Sequence, residues 1–327
     1  MRAGVLVLGP LLAKYRITKV SLPGGCAIGS RPINFHLDAL KKMGAKIKIK
    51  DGYIFASAKK GLRGCAIKFP KISVGATENV LIASCFSKGE TKLRNCAIEP
   101  EINDLINFLK KLGCKIKRVG KRGINILGVE ELKSTVHKVI FDRIETGTYV
   151  IAAALTKGRL KIKNIDPKIM LTEIRLLHKM GVDILKKKNY IIVSRSKKLK
   201  SINVVTKPYP GFPTDLQAQI MVLMVKAEGI STIKEGIFEN RFMHVSELRR
   251  MGAQIVINGN KAKIFGKSEL KGAELMATDL RASVCLVLAG LVSSNKTILN
   301  RIYHLDRGYE KIENKLSKCG AQIKRLQ

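Results

Sequence analysis

Met251-Gly252-Ala253-Gln254-Ile255-Val256-Ile257-Asn258-Gly259-Asn260-Lys261-Ala262-Lys263-Ile264 holds most of one structural unit in fourteen residues. Apolar residues alternate on both sides of Asn258-Gly259, a dipeptide that readily supplies the two positive φ angles of a tight turn, so the stretch reads as a two-stranded hairpin. Gly252-Ala253 just ahead of it suits a left-handed helix C-cap. The same pattern recurs at Met43-Gly44-Ala45, Leu112-Gly113-Cys114, Met180-Gly181-Val182 and Cys319-Gly320-Ala321, with glycine spacings of 69, 68, 71 and 68 residues. A period that steady marks one supersecondary unit copied along the chain.

Outward from each glycine the unit fills in. Ahead of it lies an amphipathic helix, as in Pro100-Glu101-Ile102-Asn103-Asp104-Leu105-Ile106-Asn107-Phe108-Leu109, with apolar residues at i, i+3, i+4 and i+7. After each hairpin comes a second, more apolar helix that ends in a strand: 76–86 then 89–93, 143–155 then 158–162, 215–225 then 229–233, and 279–291 then 297–299. Helices this apolar belong inside, with the strands facing out. Arg2-Ala3-Gly4-Val5-Leu6-Val7-Leu8 aligns with Arg281-Ala282-Ser283-Val284-Cys285-Leu286-Val287, so the chain opens on a second helix and its own first helix and hairpin are absent. The expected fold class is α/β (α+β): a two-domain inside-out α/β barrel of repeated ~69-residue βαβαββ-like units, with five complete hairpins and one half unit. The expected domains are 1–140, shortened at its start, and 141–327, with three repeat units.

At 327 residues, 46% of them apolar, the chain can build real cores and is not disordered. Its seven cysteines are odd in number and scattered, with no Cys-x-x-Cys pair, so neither a disulfide framework nor a zinc site is indicated, and a reducing cytoplasm fits. No metal and no cofactor is expected. The apolar run near Met1 is interrupted by Pro10 and is not read as a signal peptide; no stretch approaches the roughly 20 apolar residues that span a bilayer. The formal charge of +36 comes from lysines spread along the length. Lys46, Lys48 and Lys50 alternate with Ile47 and Ile49 as the solvated face of a strand, and the chain has no Trp and no nucleic-acid motif. Basic surface decoration favouring anionic substrates is the reading, with no specific nucleic acid and no membrane as partner.

Pro23-Gly24-Gly25-Cys26-Ala27-Ile28-Gly29-Ser30-Arg31-Pro32 cannot continue a helix or strand. It is either an ordinary surface loop or a mobile lid carrying a thiol activated by its basic setting.

Together with Ser73-Val74-Gly75-Ala76-Thr77, Phe212-Pro213-Thr214-Asp215-Leu216-Gln217-Ala218-Gln219, Phe238-Glu239-Asn240-Arg241-Phe242-Met243-His244, Ala277-Thr278-Asp279-Leu280-Arg281-Ala282-Ser283 and His304-Leu305-Asp306-Arg307-Gly308-Tyr309-Glu310, that loop closely resembles the enolpyruvyl transferase family of UDP-N-acetylglucosamine 1-carboxyvinyltransferases. The resemblance runs in order from Arg2 to the C-terminus. It implies six copied units in two domains with the active site between them. It also implies transfer of enolpyruvyl from phosphoenolpyruvate to the 3-hydroxyl of UDP-N-acetylglucosamine with release of phosphate, the first committed step of peptidoglycan precursor synthesis. A cytoplasmic monomer acting on these two small molecules is expected.

Residue by residue, the resemblance makes Cys26 the general acid toward the enolpyruvate methylene, on a loop that closes over substrate. Asp215 becomes the general base or orienting group at the sugar hydroxyl; on its own, Pro213-Thr214-Asp215 also reads as a helix N-cap. Arg31, Arg241, Arg281 and Arg307 match arginines that grip substrate anions, for which two-point guanidinium geometry suits phosphate and carboxylate. Arg2, the run Arg31-Pro32-Ile33-Asn34-Phe35, the run Lys71-Ile72-Ser73-Val74-Gly75, and Ile237 match positions that hold the uridine, diphosphate and sugar.

Two departures stand out. Asn34 replaces an aspartate common near the uracil, and an amide can donate as well as accept. The segment before Met1, with a Lys-Asn pair that contacts phosphoenolpyruvate in the family, is absent, so the expectation is a chain that is inactive or folds poorly alone. The alternatives are the sibling transferase acting on a shikimate phosphate, a catalytically inert UDP-sugar-binding remnant, and a polyanion-binding module.

Overall fold

The structure, a computed structural model, describes residues 2–24, 32–194 and 198–326, with the backbone alone for Arg2. The chain divides into two compact units, one ending at Ile140 and the other beginning at Phe141. In the first, a 3-10 segment, Arg2–Val7, leads into α1 (Leu8–Tyr15) and β1 (Ile17–Ser21). There follow α2 (Asn34–Lys42), β2 (Lys46–Lys50), β3 (Tyr53–Ser57), β4 (Ala66–Lys68), α3 (Val74–Ser84), β5 (Glu90–Arg94), α4 (Pro100–Lys111), β6 (Lys115–Val119) and β7 (Gly123–Leu127). The strands form two sheets, β1-β3-β2 and β4-β5-β7-β6, antiparallel except where β4 runs beside β5.

The second unit repeats this plan. It contains α5 (Arg143–Leu155), β8 (Leu160–Lys163), α6 (Leu171–Lys179), β9 (Asp183–Lys186), β10 (Tyr190–Ser194), β11 (Asn203–Val205), α7 (Gln217–Lys226), β12 (Ile230–Lys234), α8 (His244–Arg250), β13 (Gln254–Asn258), β14 (Lys261–Phe265), β15 (Glu274–Met276), α9 (Leu280–Gly290), β16 (Ile298–Asn300) and α10 (Ile312–Lys318). Its sheets are β8-β10-β9, β11-β12-β14-β13 and the parallel pair β15-β16.

The repeated glycine does the same job five times. Gly44, Gly113, Gly181, Gly252 and Gly320 have φ of 97°, 102°, 92°, 100° and 96°, a region closed to most side chains by the clash of Cβ with the carbonyl. At each, the glycine N–H donates three residues back and the next N–H donates five back, as in Gly252 to Arg249 O (2.9 Å) and Ala253 to Leu248 O (3.0 Å). These paired bonds satisfy carbonyls that the helix end leaves open and turn the chain into the next strand. The α/β repeat with this turn is as expected. One part differs: four of the glycines lead into hairpins, but after Gly320 residues 321–326 form no strand. There Arg325 donates to Asp306 (2.6 Å).

Within each unit the second helices lie inside. In α7 every residue from Gln217 to Val225 is buried, and α5, α7 and α9 pack on one another. In the first unit α3 takes that place, touching α1, α2 and α4. There the buried Asn79 accepts from Gly9 N (2.7 Å) and donates to Val5 O (2.9 Å), tying the start of the chain to α3; a Cβ on Gly9 would sit 2.1 Å from the Asn79 oxygen. Buried polar atoms placed so close have to be paired. The strands carry their lysines outward: Lys46, Lys48 and Lys50 are all exposed. On that sheet a groove of about 500 Å³, lined by Lys19, Lys46, Lys48 and Phe55, touches none of the predicted site residues.

Candidate active site

The geometry starts from helix openings. Ser73, Asp142 and Asp279 each sit just before a second helix and accept hydrogen bonds from its first free N–H groups. Asp215 occupies the equivalent place, since Asp215-Leu216-Gln217-Ala218 aligns with Asp279-Leu280-Arg281-Ala282. There the helix opens with a 3-10 turn, Thr214–Leu216, that lacks a side-chain cap. The Asp215 carboxylate is turned to guanidiniums instead: Arg241 Nη2 donates to its Oδ1 at 2.8 Å and Arg281 Nε lies 3.4 Å from the same atom. Arg241 also reaches within 4.0 Å of Asp279.

Two cations and two carboxylates thus balance. The Asp215 side chain is still 43% exposed, whereas that of Arg241 is 5% exposed. Desolvation pushes the Asp215 carboxyl up, but Arg281 and Arg241 outweigh it and hold the group below its ordinary value. An ionised carboxylate facing solvent between two forks can accept a proton from a bound hydroxyl, and an arriving anion can engage the same forks.

Further buried groups hold these in place. The Tyr309 hydroxyl accepts from Arg281 Nη1 (3.3 Å) and Gln219 Nε2 (3.4 Å) and pairs with Thr148 Oγ1 (2.9 Å). Gln219 also donates to the Asp215 carbonyl at 2.9 Å. His244, 2% exposed, is pulled down to about 4 by burial; Asp279 offsets this in part and Arg241 adds to it, so the imidazole is neutral at pH 7. Ile237, 37% exposed, follows β12 in a loop. Arg307 ends the 3-10 segment Ile302–Arg307 and is exposed; next to it, Gly308 lies so close to Leu280 that a Cβ would come within 2.9 Å. Among the described residues no group of three or more His, Cys, Asp or Glu could hold a metal ion.

In the first unit the described parts of the two predicted nucleotide-binding runs lie at the starts of α2 and α3, two helices that pack on each other. Asn34 opens α2 and is exposed with Pro32, while Ile33 is buried and Phe35 half-buried. Ser73 caps α3, accepting from Ala76 N at 3.3 Å, so Val74 and Gly75 form its first turn, where amide donors and the helix dipole favour an anion. Gly75 lies against the ring of His36, with only 3.3 Å between that ring and a built Cβ. Lys71 is exposed and Ile72 half-buried just ahead of this turn. Arg2 begins the segment that packs on α3. Cys26 and Arg31 lie outside the described residues.

The comparisons with known proteins agree across the chain. A family model described as EPSP synthase (3-phosphoshikimate 1-carboxyvinyltransferase) matches residues 1–316. The chain belongs to this enolpyruvyl transferase family. A relative named UDP-N-acetylglucosamine 1-carboxyvinyltransferase from Pelagibacter ubique is 64% identical over 326 residues, covering 100% of this chain and 78% of that protein. One of the same name from Rickettsia akari is 55% identical with the same coverage. Among solved structures, the enolpyruvyl transferase NikO from Streptomyces tendae matches with a TM-score of 0.88 and 27% identity over 98% of this chain and 76% of that one. EPSP synthase from Acinetobacter baumannii, at 19% identity, a TM-score of 0.76 and coverage of 99% and 78%, shares the fold.

For this enolpyruvyl transferase, sequence reasoning singled out Asp215, Arg241 and Arg281, and the structure brings those three together. It missed Asp279 and Tyr309, although both lie inside motifs already quoted. The signal available was the repeat alignment of Asp279 with Asp215. Gln219 was legible in the same way, four residues beyond Asp215 on one helix face.

Proposed function

We propose that this chain transfers the enolpyruvyl group of phosphoenolpyruvate to the 3-hydroxyl of UDP-N-acetylglucosamine and releases inorganic phosphate. Similarity along all of this chain, and 78% of each relative, to proteins bearing that activity in their names supports the substrate pair. The observation that carries the chemistry is the Asp215 carboxylate, kept ionised between Arg241 and Arg281 yet open to solvent.

The reaction needs an acid and a base. Carbon 2 of an enol phosphate becomes electrophilic when carbon 3 takes a proton, which we assign to the Cys26 thiol. The sugar hydroxyl then adds to carbon 2, losing its proton toward Asp215. A carbon 3 proton then returns to the Cys26 thiolate as the bond from carbon 2 to the phosphate oxygen breaks, which restores the double bond, and phosphate leaves with the proton that Asp215 took up. Arg241, Arg281, Arg307 and Arg31 are proposed to hold the phosphate and carboxylate of phosphoenolpyruvate. Guanidiniums fixed before substrate arrives stabilise charge without reorganising, and one such contact is worth about 10² to 10³ in rate. Arg2, Pro32, Ile33, Asn34, Phe35, Lys71, Ile72, Ser73, Val74, Gly75 and Ile237 are proposed to bind the nucleotide sugar. The protein is proposed to act as a cytoplasmic monomer, and no described helix is long and apolar enough to cross a membrane.

The test is phosphate release by the purified chain. Release that requires both phosphoenolpyruvate and UDP-N-acetylglucosamine supports the reading. Release that requires a shikimate phosphate instead assigns the chain to the sibling reaction.

A further inference from the structure

Glu235 is 2% exposed, and among the described residues none of the groups bonded to its carboxylate is a cation. Four donors meet it: Thr206 Oγ1 (2.8 Å), Ile237 N (2.8 Å) and Phe238 N (3.2 Å) at Oε1, and Thr214 Oγ1 (3.0 Å) at Oε2. A buried carboxylate without such bonds would cost several kcal/mol, so this arrangement is built rather than incidental. Its backbone is equally fixed: Glu235 N donates to Asn260 O (2.8 Å) and Asn260 Nδ2 donates back to Glu235 O (3.0 Å), anchoring it to the turn between β13 and β14. Thr206, 1% exposed, accepts in turn from Gly236 N at 2.8 Å.

The four donors are not a random sample of the fold. Thr214 is the residue before Asp215. Phe238 carries a ring whose centroid lies 5.4 Å from the Arg241 guanidinium carbon. Ile237 sits in the loop assigned to the nucleotide sugar. The 2.8 Å Asp215–Arg241 pair therefore has both members held, at one remove, by the same carboxylate. We infer that Glu235 is a positioning residue for the transfer reaction: it sets the Asp215–Arg241 spacing and holds the 235–238 loop in register with it. This rests on the proposed roles of Asp215 and Arg241.

Two variants separate positioning from folding. Thr214→Val cuts only the Oε2 link and keeps the branched shape. Glu235→Gln keeps size and an oxygen for the backbone donors, but presents an NH₂ group to Thr214. Small displacements of reacting groups have large rate effects, so each variant is expected to lower kcat about tenfold while its melting transition shows the chain still folded at the assay temperature. In Glu235→Gln the Thr214 hydroxyl can still accept from the new NH₂, so the two single variants disturb this link in different ways and are read separately. Asp215→Asn is measured beside them. If Asp215→Asn is impaired while both variants keep kcat within about twofold of the parent, the inference about Glu235 is wrong and the reading of the site stands. If Asp215→Asn turns over like the parent, both fall. Should the chain show no turnover, the comparison is made by calorimetric Kd for UDP-N-acetylglucosamine. There, weakening of about fivefold or more by Glu235→Gln supports the inference, and an unchanged Kd overturns it.

Discussion

At Asp215, burial favours the neutral acid and two guanidiniums favour the anion, and the guanidiniums prevail. A base held ionised in this way is available throughout the neutral range, so an inflection of kcat/KM near pH 6 or above is not its titration. His244 has the opposite consequence for stability. Its folded pKa of about 4 lies below the ordinary 6.5, so between those values the unfolded chain binds a proton that the folded chain refuses. That contribution is fully present above pH 6.5 and is lost as pH falls toward 4, by roughly 3 kcal/mol in all at 1.36 kcal/mol per unit. Urea unfolding at pH 7 and pH 4.5 should show a smaller difference in His244→Gln than in the parent; equal differences would count against the burial assigned to His244. Arg241 and Arg281 were legible in the sequence because family motifs carry them. His244 and Glu235 were not, because their roles depend on burial and on partners such as Asp279 and Thr206 that lie far away along the chain, which local pattern does not encode.

Among the elements, the glycine-capped helix is the part the sequence states most clearly. Five glycines at one spacing require a left-handed turn, and five are found in it. Their surroundings differ, which makes their replacement informative. A Cβ on Gly44 would meet nothing within 4 Å, so Gly44→Ala should cost only the backbone penalty, about 1 kcal/mol. On Gly181 the added carbon would lie 2.6 Å from the Lys198 carbonyl oxygen, and main chain must move. Gly181→Ala should cost at least about 2 kcal/mol by denaturant midpoint, and equal costs at both sites would contradict the packing described. The start of the helix was less legible than its end. Pro213-Thr214-Asp215 reads as an N-cap, and only the arginines from two later motifs reveal why that carboxylate leaves the helix uncapped.

For the whole molecule, 61 basic against 25 acidic residues leave +36 to act on two anionic substrates. Fields of this kind raise encounter rates and are screened beyond about 10 Å at 0.1 M salt. We expect kcat/KM for both substrates to fall several-fold between about 0.02 and 0.3 M salt, while kcat changes little; a salt-independent kcat/KM would show the charge to be surface decoration alone. The repeat made the architecture readable except after Gly320, where the expected hairpin does not form. The chemistry was readable only where motifs converge on Asp215, and Cys26 and Arg31 rest on resemblance. Phosphate release by the parent chain and by Asp215→Asn, with phosphoenolpyruvate and UDP-N-acetylglucosamine both saturating, tests the central claim most directly. The account predicts release that needs both substrates and falls by about 10² to 10⁴ in Asp215→Asn, as expected for loss of a general base. Release that proceeds without the nucleotide sugar, or at the parent rate in Asp215→Asn, would contradict it.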